Sequence, residues 1–366
     1  MSEQENVSRT GKVLAVCISN IKGIQKTEVP EGKLIEDWGI EGDAHAGKWH
    51  RQVSLLSFEK IEEFRAKGAR VDFGAFGENL IVEGFDLRTI PVGTRFRIGD
   101  AVLELTQIGK ECHSHCAIYK VMGDCIMPRE GVFTKVIKGG TVKAGDAVEQ
   151  LPLDPGRPFT AAVITLSDKG SRGEREDKSG PLIVETLEQE GYEVVEQLLL
   201  PDERFRIEYE LKRLADQRQV NVIFTTGGTG FSERDVTPEA TLAVCDRQAP
   251  GIAEAMRWYS LQITPRAMLS RQASGIRKKT LIINMPGSPK ACREDLDFIL
   301  PSLAHGLGIL RGTDGECGSE PAGEHHHHHD REHDHEHNHE HRHDHDHGLN
   351  HDHGHSEHHD HNHDHE

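Results

Sequence analysis

Asn221–Thr241, NVIFTTGGTGFSERDVTPEAT, decides how the chain is read. The run from Val220 to Phe224 is predominantly apolar and β-branched, as in a strand buried on both faces. It stops at Thr225-Thr226-Gly227-Gly228-Thr229-Gly230, where three glycines in four residues let backbone N–H groups approach an anion with no Cβ between. A charged loop, Ser232-Glu233-Arg234-Asp235, leads to a helix start with Thr237 as N-cap, Pro238 at the first position and Glu239 at the positive end of the dipole. Strand, glycine loop, acid and helix start predict a nest for a phosphorylated ligand and its metal. No Gly-Lys-Ser/Thr follows and the spacing is not G-x-G-x-x-G, so this is neither a P-loop nor a dinucleotide fingerprint. A tight turn with solvated charges shares the same spacing.

Outward from this stretch, Phe159–Arg311 alternates strand and helix. Strands are predicted at Thr160–Leu166, Tyr192–Leu200, Val220–Thr226 and Thr280–Asn284, and helices at Pro181–Glu190, Glu203–Arg218 and Gly251–Gln262, with a last helix after Lys290. The alternation predicts an α/β three-layer domain with a mostly parallel sheet. In such sheets ligands bind beyond the carboxyl ends of the strands. Asp168, Asp202, the Gly227–Gly230 loop with Asp235, and Gly287-Ser288 each follow a predicted strand, so they are expected at one edge. Each alone has a plain explanation as a cap, a turn or a strand stop; four together point to a nucleotide or phosphate site.

The motifs SDKGSRG (Ser167–Gly173), LLPDE (Leu199–Glu203), TTGGTG (Thr225–Gly230), RDVTPEAT (Arg234–Thr241), LSRQ (Leu269–Gln272) and GIRKKTLIINMPGSPK (Gly275–Lys290) resemble the MogA/MoaB-type molybdopterin adenylyltransferase family. The resemblance implies that the terminal phosphate of molybdopterin attacks the α-phosphorus of ATP in the presence of Mg²⁺, giving adenylyl-molybdopterin and pyrophosphate. It implies catalytic roles for Asp202 and Asp235, with Asp235 on Mg²⁺ and phosphate and Asp202 on the ATP side or the metal. Cofactor contacts are expected from Ser167, Asp168, Gly227, Gly228, Thr229, Gly230, Pro286, Gly287, Ser288 and Lys290. A homotrimer through this domain, and a downstream molybdenum-insertion protein or molybdoenzyme as partner, are further implications.

Val7–Leu153 reads differently. Short strands at Lys12–Ile18, Val53–Leu56, Val102–Thr106 and Val132–Ile137 lie between glycine-rich turns, with one helix at Ser57–Lys67 capped by Ser57. Many short strands and few helices predict a small β-barrel over residues 10–150, after a flexible N-terminus at 1–9. Gly42-Asp43-Ala44-His45-Ala46-Gly47 and Cys112-His113-Ser114-His115-Cys116, with Cys125 nearby, are its polar clusters; a reactive thiol, a zinc site and plain packing all fit the second. Gly42-Asp43, His45, Gly47, Gly77-Glu78-Asn79, the Pro91–Asp100 stretch and Cys112 resemble the MOSC domain, named after the C-terminal domain of molybdenum cofactor sulfurase. That resemblance implies a barrel that binds molybdenum cofactor, with Cys112 carrying sulfur or contacting molybdenum. Residues 151–158, rich in proline, read as a linker to the domain at 159–312.

The segment 313–366 carries 16 acids against two arginines, so it supplies −14 of the net charge of −18 and the rest of the chain is only mildly acidic. It also holds 21 of the 26 histidines. With a single apolar side chain after Ala322, Leu349, it cannot bury a core and is expected to be disordered. His325, His326, His327, His328 and His329 with the mixed His/Asp/Glu tract suit Ni²⁺, Zn²⁺, Co²⁺ or Cu²⁺. The chain has no basic patch for nucleic acid, no apolar run long enough for a membrane span, no leader-like N-terminus and no disulfide-framework spacing among its seven cysteines. A cytoplasmic setting is expected. The reading is therefore a molybdenum cofactor biosynthesis enzyme, the alternatives being a non-catalytic cofactor carrier or scaffold and a transition-metal buffer acting through the tail.

Overall fold

The structure is a computed structural model, and it describes residues 9–111 and 117–313. Cys112 and the tail histidines His325–His329 lie outside the described residues, as do residues 1–8 of the expected flexible N-terminus.

The first half carries strands β1 (Thr10–Ile18), β2 (Thr27–Val29), β3 (Glu31–Ile35), β4 (Gly39–Ile40), β5 (Val53–Ser57), β6 (Leu80–Glu83), β7 (Arg95–Ile98), β8 (Ala101–Ile108), β9 (Val132–Lys138), β10 (Gly140–Lys143) and β11 (Ala147–Gln150). Seven of them pair in the order β11-β7-β8-β9-β5-β6-β1, and β11 returns to β1 through Thr10↔Glu149 and Lys12↔Ala147, which closes a barrel. Strand alternation sorts the side chains: Val13, Val16, Leu55, Phe96, Leu103 and Val148 fill the interior, whereas Ala15, Cys17, Leu56 and Ile81 face outward. The outward set is covered by α1 (Phe58–Ala66) through Ile61 and Phe64, and by the turns α2 (Ala117–Met122) and α3 (Met127–Glu130). The Ser57 hydroxyl does not cap α1; it donates to Phe85 O at 2.6 Å, because a fully buried hydroxyl is better satisfied across the barrel than by its own helix. Arg95–Ile98 belongs to the barrel, while Gly140–Lys143 joins β3 and β4 in a separate three-stranded sheet.

The second half carries β12 (Thr160–Leu166), α4 (Asp168–Ser171), α5 (Ser179–Gln189), β13 (Glu193–Leu200), α6 (Arg204–Asp216), β14 (Val222–Thr226), α7 (Thr237–Val244), β15 (Arg247–Gln248), α8 (Pro250–Leu261), β16 (Ser274–Arg277), β17 (Thr280–Met285) and α9 (Pro289–Arg311). The sheet order is β13-β12-β14-β17-β16-β15. The first four strands are parallel; β16 and β15 are antiparallel additions at one edge. Side chains alternate between two cores, so the sheet is covered on both faces. Val163, Phe224 and Ile283 pack with Ile183, Met256, Leu296 and Leu300 on one side. Ile164, Ile223 and Ile282 pack with Ile207, Leu211 and Ala240 on the other. No helix among the described residues is long and apolar enough to cross a membrane.

The segment between the halves is tied down at its far end. Arg311, in the last turn of α9, donates to Arg157 O at 2.7 Å and Pro158 O at 2.8 Å, and its guanidinium lies 4.1 Å from the Phe159 ring centre.

Candidate active site

The parallel register aligns the strand ends. Leu166 pairs with Leu200, Thr165 with Thr226, and Thr226 with Met285. The loops that follow therefore meet at one edge, around a cavity of about 780 Å³ lined by Ser167, Asp202, Gly227, Gly228, Asp235 and Ser288 among others. This is a volume suited to a small-molecule ligand.

Gly227 and Gly228 have φ of +98° and +64°, a region L side chains rarely adopt. Space forbids a side chain as well. A Cβ on Gly227 would stand 2.3 Å from Leu166 O, and one on Gly228 2.3 Å from Thr237 Oγ1. Gly287 approaches from β17, its Cβ position only 3.5 Å from Gly227 Cα. Thr237 is not the helix cap expected from the sequence. It sits inside α7, and its hydroxyl donates 3.0 Å to Gly227 O, fixing the turn instead of the helix end. Gly227→Ala is expected to destabilise the α/β domain by about 1–3 kcal/mol and to weaken ligand binding together with it; the check is calorimetric melting beside nucleotide titration.

Three carboxylates frame the pocket mouth. Asp168 N donates to Asp202 Oδ2 at 2.9 Å and Asp202 N donates to Asp168 Oδ1 at 3.1 Å, a reciprocal pair. Arg234 grips Asp168 through Nε at 2.9 Å and Nη2 at 2.7 Å, holding its carboxyl below the usual range. Asp202 goes the other way: burial pushes it up, and the charges of Asp168 and Asp235 add to that. Asp235 Oδ2 accepts from Ser232 N at 2.9 Å, shaping its own loop. Arg234→Gln removes the cation that grips Asp168 and whose charge also acts on Asp202. Asp168 and Asp202 then hold protons more tightly, so the acid limb of the kcat/KM profile is expected to move to higher pH; an unmoved limb would show that Arg234 does not govern them.

Of the residues singled out by sequence, Ser167, Asp202, Gly227, Gly228, Asp235, Gly287 and Ser288 line the cavity, and Asp168 hydrogen-bonds into it. The rest stand behind. Thr229 O and Gly230 O accept from Arg271 at 2.9 and 2.6 Å, so they anchor the loop from its back. Pro286 O accepts from Thr226 Oγ1 at 2.7 Å. Lys290 is 80% exposed and reaches toward Glu294, because it sits on the outer side of the first turn of α9. Cys112 lies outside the described residues. Sequence reading misses Arg175, Glu176, Asp177 and Lys178, which line the wall ahead of α5. Asp177 Oδ1 accepts from Ser179 N at 3.1 Å and Gly180 N at 3.0 Å, and the Asp-x-Ser-Gly spacing is the available signal. Among the described residues no three or more His, Cys, Asp or Glu are arranged to hold a metal by themselves.

An open sheet with a glycine turn and carboxylates beyond its strand carboxyl ends places the cavity where open α/β domains bind their ligands. Residues 162–305 match the family model described as "Probable molybdopterin binding domain", and residues 42–149 match the MOSC domain. The molybdopterin adenylyltransferase of Helicobacter pylori J99 is 43% identical over 158 residues, 41% of this chain and 87% of that protein. That of Escherichia coli K12 is 46% identical over 152 residues, 40% of this chain and 77% of that protein. The solved structure of the molybdopterin biosynthesis enzyme MoaB from Thermus thermophilus is 47% identical, with TM-score 0.41, covering 42% of this chain and 97% of that one. The chain belongs, through its second domain, to the molybdopterin adenylyltransferase family, and it carries a MOSC domain ahead of it.

Proposed function

We propose that the α/β domain transfers the adenylyl group of ATP to molybdopterin in molybdenum cofactor biosynthesis. The observation that carries this reading is the convergence of Asp202, Asp235 and the Gly227-Gly228 turn on one cavity, in a domain similar at 43–46% identity to proteins named for that reaction. A phosphate oxygen of molybdopterin attacks the α-phosphorus, the bond to the β-phosphate bridging oxygen breaks, and pyrophosphate leaves. The nucleophile is already an anion, so no general base is required; positioning and charge neutralisation suffice.

The donor set fits Mg²⁺, which takes one or two carboxylates and completes its shell with substrate phosphates and water. When bound, the ion neutralises charge developing on the phosphates. Asp235 and Asp202 would hold it. Gly227 and Gly228 offer close backbone approach to phosphate, and Ser288, at the start of α9, faces the same cavity.

The reading extends to the other parts of the chain. The barrel holds the cofactor or its sulfur ligand through Cys112, a role supported by the MOSC match over 42–149. The tail chelates a transition metal through His325–His329, supported by its composition. The domain assembles as a homotrimer; Phe205, Trp258 and Met268, 61–80% exposed, are apolar surface that a second copy would cover.

The test is incubation of the full chain with molybdopterin, ATP and Mg²⁺, following adenylyl-molybdopterin and pyrophosphate. Product that requires all three supports the enzyme. Molybdopterin binding without product would sink the transferase and leave a cofactor carrier.

A further inference from the structure

The two domains meet at a seam far from the cavity. Ile108 N donates 2.9 Å to Gln217 O, Val92 N donates 3.0 Å to Gln219 Oε1, and Arg218 Nη1 donates 2.7 Å to Thr106 O. Gln217–Gln219 form the turn between α6 and β14, at the amino end of the sheet. The cavity lies at the carboxyl end, a strand away, roughly 16 Å for the five residues of β14.

The seam gathers cations from both domains. Arg213 is satisfied: it pairs with Glu196 and, at 2.6 Å, with Glu210. Arg218, whose side chain is 5% exposed, reaches Glu196 only at 3.5 Å, and its Nε is buried with no hydrogen-bond partner. Burial pushes this guanidinium down to about 10. Arg51 comes from the barrel. Its guanidinium lies 4.8 Å from the Trp49 ring centre and 5.6 Å from that of Phe133, and its Nε too is buried without a partner. Lys110 Nζ lies 5.8 Å from the same Phe133 ring centre. Among the described residues, Glu196, Glu210 and Glu193 are the carboxylates that face these four cations, and Arg213 engages the first two. Arg51 Nε is buried with no partner, and Arg218 Nε has only the 3.5 Å approach of a Glu196 that Arg213 already engages; under-satisfied buried guanidinium groups are costly, and such a cost marks a place where something else supplies the acceptor.

We infer that this seam binds a phosphate group or an equivalent tetrahedral oxyanion between Arg51 of the barrel and Arg218 of the α/β domain, with Lys110 and Arg213 at its border. The guanidinium fork matches such an oxyanion in charge and geometry. Neither domain holds the site alone, so occupancy fastens the two together. The site is separate from the adenylyl-transfer cavity and does not depend on that reading.

The ligand is a phosphate monoester on an organic molecule or a free oxyanion. His50 reports on it. Its Nε2 lies 2.9 Å from Gln107 Oε1, and burial, with Arg218 as the next cause, pushes the ring down to about 4. Glu196 and Arg51 are the other charges facing it. An anion at the seam offsets Arg218 and Arg51, so the His50 pKa must rise.

The experiment is an NMR titration of His50 in the full chain, its signal identified by its loss in His50→Asn, with inorganic phosphate in one arm and glycerol 3-phosphate in the other. The expected result is an upward shift of about one unit. It should fall away in Arg51→Gln, and in Arg218→Gln the unliganded pKa should already be raised. A shift with glycerol 3-phosphate assigns an organic monoester; a shift with inorganic phosphate alone assigns a free ion. No movement of His50 by either anion in the wild type overturns the site without recourse to any variant. An unchanged response in both variants, with folding intact by circular dichroism, places the anion elsewhere and overturns it equally.

Discussion

Asp235→Ala is expected to lower kcat/KM for adenylyl transfer by at least about 10²-fold, the scale of losing one preorganised electrostatic contact in a closed site. Asp235 sits at the end of the loop that follows the glycine turn. A Cβ on Gly230 would stand 2.9 Å from its Oδ2, so loop and carboxylate are packed as one unit. Removing the carboxylate takes away the proposed metal and phosphate anchor and, with it, the acceptor for Ser232 N. Asp235→Asn separates these effects, since the amide oxygen can still accept from Ser232 N but carries no charge. Comparable losses in both variants place the effect in the charge; recovery in Asp235→Asn would place it in loop geometry. Asp202→Ala should act in the same direction, and because the charge of Asp235 acts on Asp202 across the shared cavity, the two substitutions should combine non-additively.

The largest expected stability effect lies in the barrel. Lys26 and Asp43 are 1% and 0% exposed and approach to 2.8 Å. Asp43 also accepts from His45 N at 2.9 Å, Asn79 Nδ2 at 3.1 Å and Ser19 N at 3.2 Å. Burial opposes ionisation of both partners. For Asp43 the hydrogen bonds and Lys26 together win, and its carboxyl is held well below the usual range; for Lys26 burial is the larger effect and its ammonium is pushed down. Asp43→Ala strips the compensation and leaves the ammonium buried, at an expected cost of about 3–5 kcal/mol, whereas Lys26→Met combined with Asp43→Ala should cost less than the sum of the two single changes. Chemical denaturation of the four proteins of this cycle is the measurement. An unmoved midpoint for Asp43→Ala would remove the pair from the account of barrel stability. The depressed carboxyl contributes stability that is present above its unfolded value of 3.8 and is lost as pH falls through the lower folded value, so the barrel should weaken at strongly acid pH.

What can be read in the residues follows from how local each signal is. The apolar run of β14, its glycine stop and the acid after it are contiguous, and the structure keeps them in that order. Strands β12, β13 and β17 fall within two residues of expectation for the same reason. Ser57 and Thr237 have the local context of helix caps yet cap nothing, because a hydroxyl's partner is chosen by whatever is near in space: Phe85 O lies 28 residues from Ser57, and Gly227 O ten residues from Thr237. The motif around Lys290 draws it toward the site, yet a helix places successive side chains on different faces, and this one points to solvent.

By itself, then, the sequence determined the two architectures, the glycine turn and the family, because strand periodicity, turn chemistry and motif spacing are written along the chain. Tertiary structure alone decided which residues touch. It closed β11 onto β1, put Asp168 and Asp202 in reciprocal contact across 34 residues, buried Lys26 against Asp43, and brought Arg51 beside Arg218. Those pairings depend on strand order and on how the domains meet, and no local propensity encodes either.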